Sequence, residues 1–188
     1  MSGVDTSLTF VPIRIAALTV SDTRDMATDK SGALLAARIA EAGHDLADRR
    51  IVRDDVEAIR GAVRDWVATG AVDAVVTTGG TGLTGRDVTP EALTPLFDKT
   101  IDGFSAVFHR VSFDSVGLST LQSRACAGVI DGVYVFCLPG SSGAVKDGWD
   151  KVIRDQLDSR HRPCNFVEIM PRLREGFAPR ADAAGDGA

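Results

Sequence analysis

The sequence predicts an α/β domain whose sheet is mostly parallel, with one antiparallel hairpin strand. Two observations carry that expectation. Strand-like apolar runs alternate with amphipathic helical segments up to residue 78, a βαβαβ order that calls for parallel strands joined by right-handed crossovers. Further on, "ACAGVIDGVYVFCL" (125–138) sets Asp131-Gly132 between two apolar runs, the pattern of a two-residue hairpin turn.

Local chemistry justifies each element. "IRIAALTV" (13–20), broken only by Arg14, reads as a strand ending in the polar "SDTRD". "ALLAARIAEAG" (33–43) reads as a helix, with Leu35, Ile39 and Ala42 on one face and Gly43 as its stop. A short strand at "RRIV" (49–52) leads to Asp54 or Asp55, either of which can cap a second helix. That helix carries Val56, Ile59, Val63 and Trp66 at helical spacing and ends at Gly70. "AVDAVVTT" (71–78) is the third strand. Thr89 suits an N-cap and Pro90 the first helical position, while Pro95 should end that helix early. Residues 103–124 look mostly helical, and "AVKDGWDKVIRDQL" (144–157) is an amphipathic helix with Val145, Trp149, Val152 and Ile153 inward. Residues 1–12 are expected to form an arm, 13–170 a single domain, and 171–188, rich in Ala, Gly, Asp and Pro, a flexible tail.

Composition narrows the function. A chain of 188 residues buries a sizeable core without staples. Its net charge of -5 argues against broad nucleic-acid binding, so an anionic ligand must be attracted by a local site. No stretch approaches the ~18 apolar residues of a membrane span. The start lacks a basic segment before an apolar one, and the three cysteines make no disulfide framework, so a cytoplasmic protein is expected. Cys126 and Cys137 oppose each other across the hairpin and read as packed thiols. His44, His109 and His161 are scattered, form no metal-binding pair, and read as surface or partly buried residues.

The chemical signal lies in "VVTTGGTGLTGRDVTPEAL" (75–93), where Gly79, Gly80, Gly82 and Gly85 crowd one connection. Gly80-x-Gly82-x-x-Gly85 matches the dinucleotide fingerprint literally, but the helix signal waits until Pro90. The same residues nearly make a P-loop, with Arg86 and Asp87 standing where Lys and Ser/Thr should be. What remains is a long glycine loop at the carboxyl end of a parallel strand, where open α/β sheets bind ligands and successive amides cradle anions. Thr77, Thr78 and Thr81 add hydroxyls, Arg86 a cation, and Asp87 a carboxylate suited to Mg²⁺.

"TTGGTGLTGRDVTPEAL" closely resembles the signature of the molybdenum-cofactor biosynthesis family that includes MoaB, MogA and the gephyrin G domain. "LTVSDTR" (18–24), "STLQSRACAG" (119–128), "LPGSSGA" (138–144) and "RPCNF" (162–166) resemble family segments in the right order, the "STLQSR" segment and the ending being most similar to the MoaB branch. The resemblance implies a three-layer αβα fold and Mg²⁺-dependent adenylylation of molybdopterin by ATP. It implies Asp54 and Asp87 as the catalytic, metal-holding carboxylates, with Asp55 an open alternative to Asp54. The pterin phosphate would sit on the loop after Thr78, on Gly79, Gly80, Thr81 and Gly82, near Arg86. Ser21 and Asp22, and Pro139, Gly140 and Ser141, would line the same pocket. It also implies a homo-oligomer, trimer or hexamer. A non-catalytic molybdopterin-binding oligomer is the competing expectation.

Overall fold

The computed structural model describes residues 3–175. A two-residue strand, β1 (Gly3–Val4), pairs antiparallel with β8 (His161–Arg162). The main sheet holds β2 (Arg14–Val20), β3 (Asp45–Val52), β4 (Ala74–Thr78), β5 (Lys99–Thr100), β6 (Cys126–Ile130) and β7 (Val133–Leu138), in the spatial order β3-β2-β4-β7-β6-β5. β3, β2, β4 and β7 run parallel, and β6 is antiparallel to both its neighbours. The hairpin turn is made by Asp131 (φ 45°) and Gly132 (φ 80°), two left-handed residues whose twist matches the flanking strands.

Strand alternation sorts the core into two layers. Ile15, Ala17, Ala74, Val76, Tyr134, Phe136 and Leu138 face one side. There they meet α1 (Lys30–Glu41), α4 (Asp102–Val116) and the helical run over 142–157, α5, through Leu35, Ile39, Phe104, Phe108, Trp149 and Ile153. Ala16, Leu18, Val75, Val135 and Cys137 face the other side. They pack against α2 (Val56–Ala68) and α3 (Thr89–Leu93) through Ile59, Val63, Trp66, Ala92 and Leu93. Each buried Val, Leu, Ile or Phe side chain among them contributes about 1.5–3 kcal/mol by burial. The three-layer αβα arrangement follows directly.

Several local expectations change. β3 starts four residues before the apolar "RRIV", because an edge strand tolerates the exposed, charged "DLAD". Asp29 caps α1, its carboxylate accepting from the Gly32 amide at 2.9 Å. Asp55, not Asp54, caps α2 by accepting from the Ala58 amide. Thr89 is not an N-cap: Val88 holds that position without a side-chain bond, and the Thr89 hydroxyl donates to the Gly79 carbonyl at 2.9 Å. α5 is regular at both ends and π-helical over Lys146–Ile153, where Gly148 lies so close to Leu138 that a Cβ would meet it at 2.3 Å. His44 and His161 are buried rather than superficial. The His44 Nδ1 accepts from the Ile13 amide at 3.3 Å, and burial lowers its pKa.

Cys126 and Cys137 are paired in register as free thiols. No helix among the described residues is long and apolar enough to cross a membrane. A final short helix, α6 (Phe166–Ile169), covers Tyr134 and Phe136, and the chain beyond it touches the hairpin turn through Arg174. Residues 176–188, most of the expected tail, lie outside the described residues.

Candidate functional site

Four connections leave the carboxyl ends of parallel strands together. Ser21 follows β2, Asp54 follows β3, Gly79 follows β4 and Pro139 follows β7. With Arg24, Gly80, Thr81, Gly82, Asp87, Gln122, Ser123 and Gly140, these residues line a cleft of about 300 Å³.

Contact explains the crowding of glycine there. At Gly79 (φ 107°) a Cβ would lie 2.2 Å from the Val20 carbonyl oxygen. At Gly80 (φ 65°) it would lie 2.3 Å from the Thr89 hydroxyl, and at Gly82 2.7 Å from the Asp87 carboxylate. A Cβ added at Gly140 would lie 3.1 Å from the Gly79 Cα, so the two loops run close together, main chain beside main chain. Gly85 faces open space and has no such constraint. The Gly79 amide donates to the Leu138 carbonyl at 3.0 Å, whereas the Gly80 and Thr81 amides have no acceptor among the described residues. Those two amides are free for an anion.

Arg124 secures the loop from behind. Its amide donates to the Thr81 carbonyl at 2.8 Å, its Nε to the Gly82 carbonyl at 2.8 Å and an Nη to the Asp87 carbonyl at 2.8 Å, while its other Nη pairs with Glu91.

The two carboxylates of the cleft differ. Burial disfavours ionisation of Asp87, but the Thr84 hydroxyl (2.6 Å) and amide (2.9 Å) outweigh it and hold its pKa low. Asp54 is pushed above the usual carboxylate range, first by burial and then by the neighbouring charge of Asp22. Arg86 makes a fork on Asp22 at 2.7–2.9 Å and holds the Asp22 pKa low. The Asp54 amide in turn donates to Asp22 at 3.3 Å.

Backbone amides free at the mouth of a parallel sheet, with acidic side chains beside them, define a class of anion site; comparison with known proteins decides which. Residues 16–159 match the family described as a probable molybdopterin binding domain. The chain is 49% identical over 166 residues to molybdenum cofactor biosynthesis protein B of Escherichia coli K12, covering 88% of this chain and 96% of that protein. It is 45% identical to the protein of the same name from Bacillus subtilis, covering 77% and 86%. The chain belongs to the MoaB family. A crystal structure of molybdenum cofactor biosynthesis protein B superposes with a TM-score of 0.79 at 42% identity, covering 87% of this chain and 97% of that one. The tungsten cofactor synthesizing protein MoaB from Pyrococcus furiosus superposes at 0.73 and 36% identity, covering 87% and 98%.

Within this MoaB fold, the residues expected from the sequence divide. Ser21, Asp54, Gly79, Gly80, Thr81, Gly82, Asp87, Pro139 and Gly140 line the cleft together. Thr78 is fully buried and donates to the Pro139 carbonyl at 3.0 Å, tying the two loops. Ser141 is the N-cap of α5, accepting from the Ala144 amide at 3.0 Å. Asp22 and Arg86 pair with each other outside the lining. Sequence reasoning missed Arg24, Gln122 and Ser123 in the lining, and Arg124 behind the loop. All four stand in segments that resemble the family, but a polar residue distant in sequence from the glycine loop carries no local signal of where it points. The Ser123 hydroxyl is buried without a partner among the described residues.

Among the described residues no group of three or more His, Cys, Asp or Glu is placed to hold a metal. Asp54 and Asp87 offer a pair. That suits Mg²⁺, which commonly takes one or two carboxylates and completes its shell with water and substrate phosphates.

Proposed function

We propose that the chain is a molybdopterin adenylyltransferase that uses ATP and Mg²⁺, with Asp54 and Asp87 as its catalytic carboxylates. The terminal phosphate oxygen of molybdopterin attacks the α-phosphorus of ATP. The new P–O bond forms as the bond to the β-phosphate bridge breaks, and pyrophosphate leaves. Such a step asks the protein for alignment and charge neutralisation and for no covalent help. The Gly80 and Thr81 amides orient the attacking phosphate, and the positive-φ glycines let the chain approach it closely. Asp54 and Asp87 would hold Mg²⁺, which when bound neutralises charge on the departing pyrophosphate.

The observation that carries this reading is geometric: Asp54 and Asp87 line one cleft together with Gly80 and Thr81, whose amides are unpaired among the described residues, and the two carboxylates differ in how they are held. Asp87 is kept ionised by Thr84, while Asp54 sits unfavourably charged beside Asp22. A divalent cation relieves the second and is anchored by the first. The competing reading, a molybdopterin-binding protein without catalysis, draws on the small donor set of two carboxylates. One measurement separates them: pyrophosphate release by purified protein given ATP, Mg²⁺ and molybdopterin. Release at a rate that scales with protein supports the transferase, and its absence with pterin binding intact supports the carrier. A cytoplasmic homo-oligomer, trimer or hexamer, belongs to the same proposal. Phe113, Val116, Leu118 and Leu121, exposed at the end of α4 and in the turn after it, supply apolar surface for a second copy.

A further inference from the structure

Two guanidinium groups stand near the cleft, and they are held differently. Arg86 is on the rim, its side chain 66% exposed, and its fork is occupied by Asp22. Arg24 lines the cleft itself. It donates to the Ser31 hydroxyl at 2.7 Å and to the Gly140 carbonyl at 2.9 Å, and lies 3.7 Å from the Asp29 carboxylate. The Asp29 side chain is wholly shielded from solvent, accepting from the Thr19 hydroxyl at 2.6 Å, the Gly32 amide at 2.9 Å and Arg49 at 2.9 Å. Arg24 is thus braced by the first turn of α1 and by the loop after β7.

Charge and donor capacity point the same way. One carboxylate, Asp29, faces two guanidinium groups, Arg24 and Arg49, so the cluster retains a positive charge. Asp22 and Arg86 balance each other. Asp54 and Asp87 line the same cleft as Arg24. The cleft therefore carries both signs of charge, a braced guanidinium at Arg24 and cation-seeking carboxylates at Asp54 and Asp87. A guanidinium has five N–H donors, and the bonds to Ser31 and Gly140 occupy two of them.

We propose that Arg24 is the side chain that receives the pterin phosphate, completing the anion site opened by the Gly80 and Thr81 amides, and that Arg86 instead positions Asp22 and the start of the Asp54 loop. This rests on the molybdopterin reading above. The experiment measures binding of molybdopterin, and of the same pterin after phosphatase treatment, to wild type, Arg24→Ala, Arg24→Lys, Ser31→Ala and Arg86→Ala. Thermal melting confirms that each variant is folded.

Arg24→Ala should weaken molybdopterin binding roughly tenfold or more, as loss of a charge-assisted fork does. Binding of the dephosphorylated pterin should stay within about twofold. Arg24→Lys should recover part of the loss, because a point charge replaces the charge but not the fork. Ser31→Ala, which frees the guanidinium without removing it, and Arg86→Ala should each lose less than Arg24→Ala. The proposal is overturned if folded Arg24→Ala binds molybdopterin as wild type does, or if it loses both pterins equally. Wild type that binds neither pterin overturns the molybdopterin reading as well, which distinguishes that failure from failure of the Arg24 assignment alone.

Discussion

Two walls of the same cleft are built from different materials. The loop after β4 is a main-chain wall: Gly79, Gly80 and Gly82 fit where no Cβ can, and Arg124 grips three of the loop's carbonyls. The loop after β2 is a wall of side-chain charge, in which Asp29 and Arg24 interlock with Thr19 of β2 and Arg49 of β3. The first presents amides at fixed positions and is indifferent to pH. The second sets the sign of the local field and depends on ionisation. A site for a phosphorylated ligand next to a divalent cation needs both, because donors alone do not separate the anion from the metal.

The largest effect expected is at the edge where the main-chain wall ends in a charge. Asp87→Asn keeps the shape and removes the ionised oxygen, so adenylyl transfer should fall by about a hundredfold or more while pterin binding stays nearly intact. Pyrophosphate release and pterin titration on the same preparation check this, and normal turnover would remove Asp87 from the chemistry. Gly79→Ala tests the wall itself. The added methyl meets the Val20 carbonyl oxygen at 2.2 Å in a left-handed backbone, so a loss of about 2–4 kcal/mol is expected in urea unfolding. Gly85→Ala, at the fourth glycine of the same motif and in open space, should stay within about 0.5 kcal/mol.

The charge wall breaks at Asp29. Asp29→Asn retains a capping oxygen for Gly32 but leaves Arg24 and Arg49 without their shielded counter-charge, and a loss of about 2 kcal/mol at neutral pH is expected. The Asp29 pKa is lowered: burial opposes ionisation, and the Thr19, Gly32 and Arg49 bonds outweigh it. A carboxylate with a depressed folded pKa stabilises above its unfolded pKa, and that stability is lost as pH falls through the folded value. The gap between wild type and Asp29→Asn should therefore close on acidification, as pH-dependent melting can follow. A gap that widens in acid contradicts the assignment.

The same contrast explains what could be read from the chain. The parallel sheet was legible because Ile15 to Leu18 and Val75 to Thr77 are unbroken apolar or β-branched runs. The main-chain wall was legible because glycine at that density has few other uses, although only the structure separates Gly79, Gly80 and Gly82 from the unconstrained Gly85. Asp54 and Asp55 were indistinguishable as neighbours, since one residue of register decides which caps α2 and which turns to the cleft. Arg24 and Arg124 were not legible as site residues. Their roles come from carbonyls of Gly140, Gly82 and Asp87, brought to them by strand order, which no local spacing encodes.

The smallest effect expected lies where the two walls meet, at Asp54. Burial and the Asp22 charge raise its pKa, so its ionised form is destabilised in the fold. A group with a raised folded pKa contributes stability below its unfolded pKa and loses it as pH rises through the folded value, so at neutral pH Asp54 costs stability. Asp54→Asn should then melt about 1–3 °C higher than wild type at pH 7, with the gain shrinking on acidification as the native carboxyl takes up its proton. Adding Mg²⁺ should raise the wild-type melting temperature and leave Asp54→Asn less affected, because a cation bound to that carboxylate supplies the relief that the substitution supplies covalently. A variant that melts lower at pH 7 would mean that Asp54 is a structural partner in the loop, and the contrast between the two carboxylates would lose its link to metal binding.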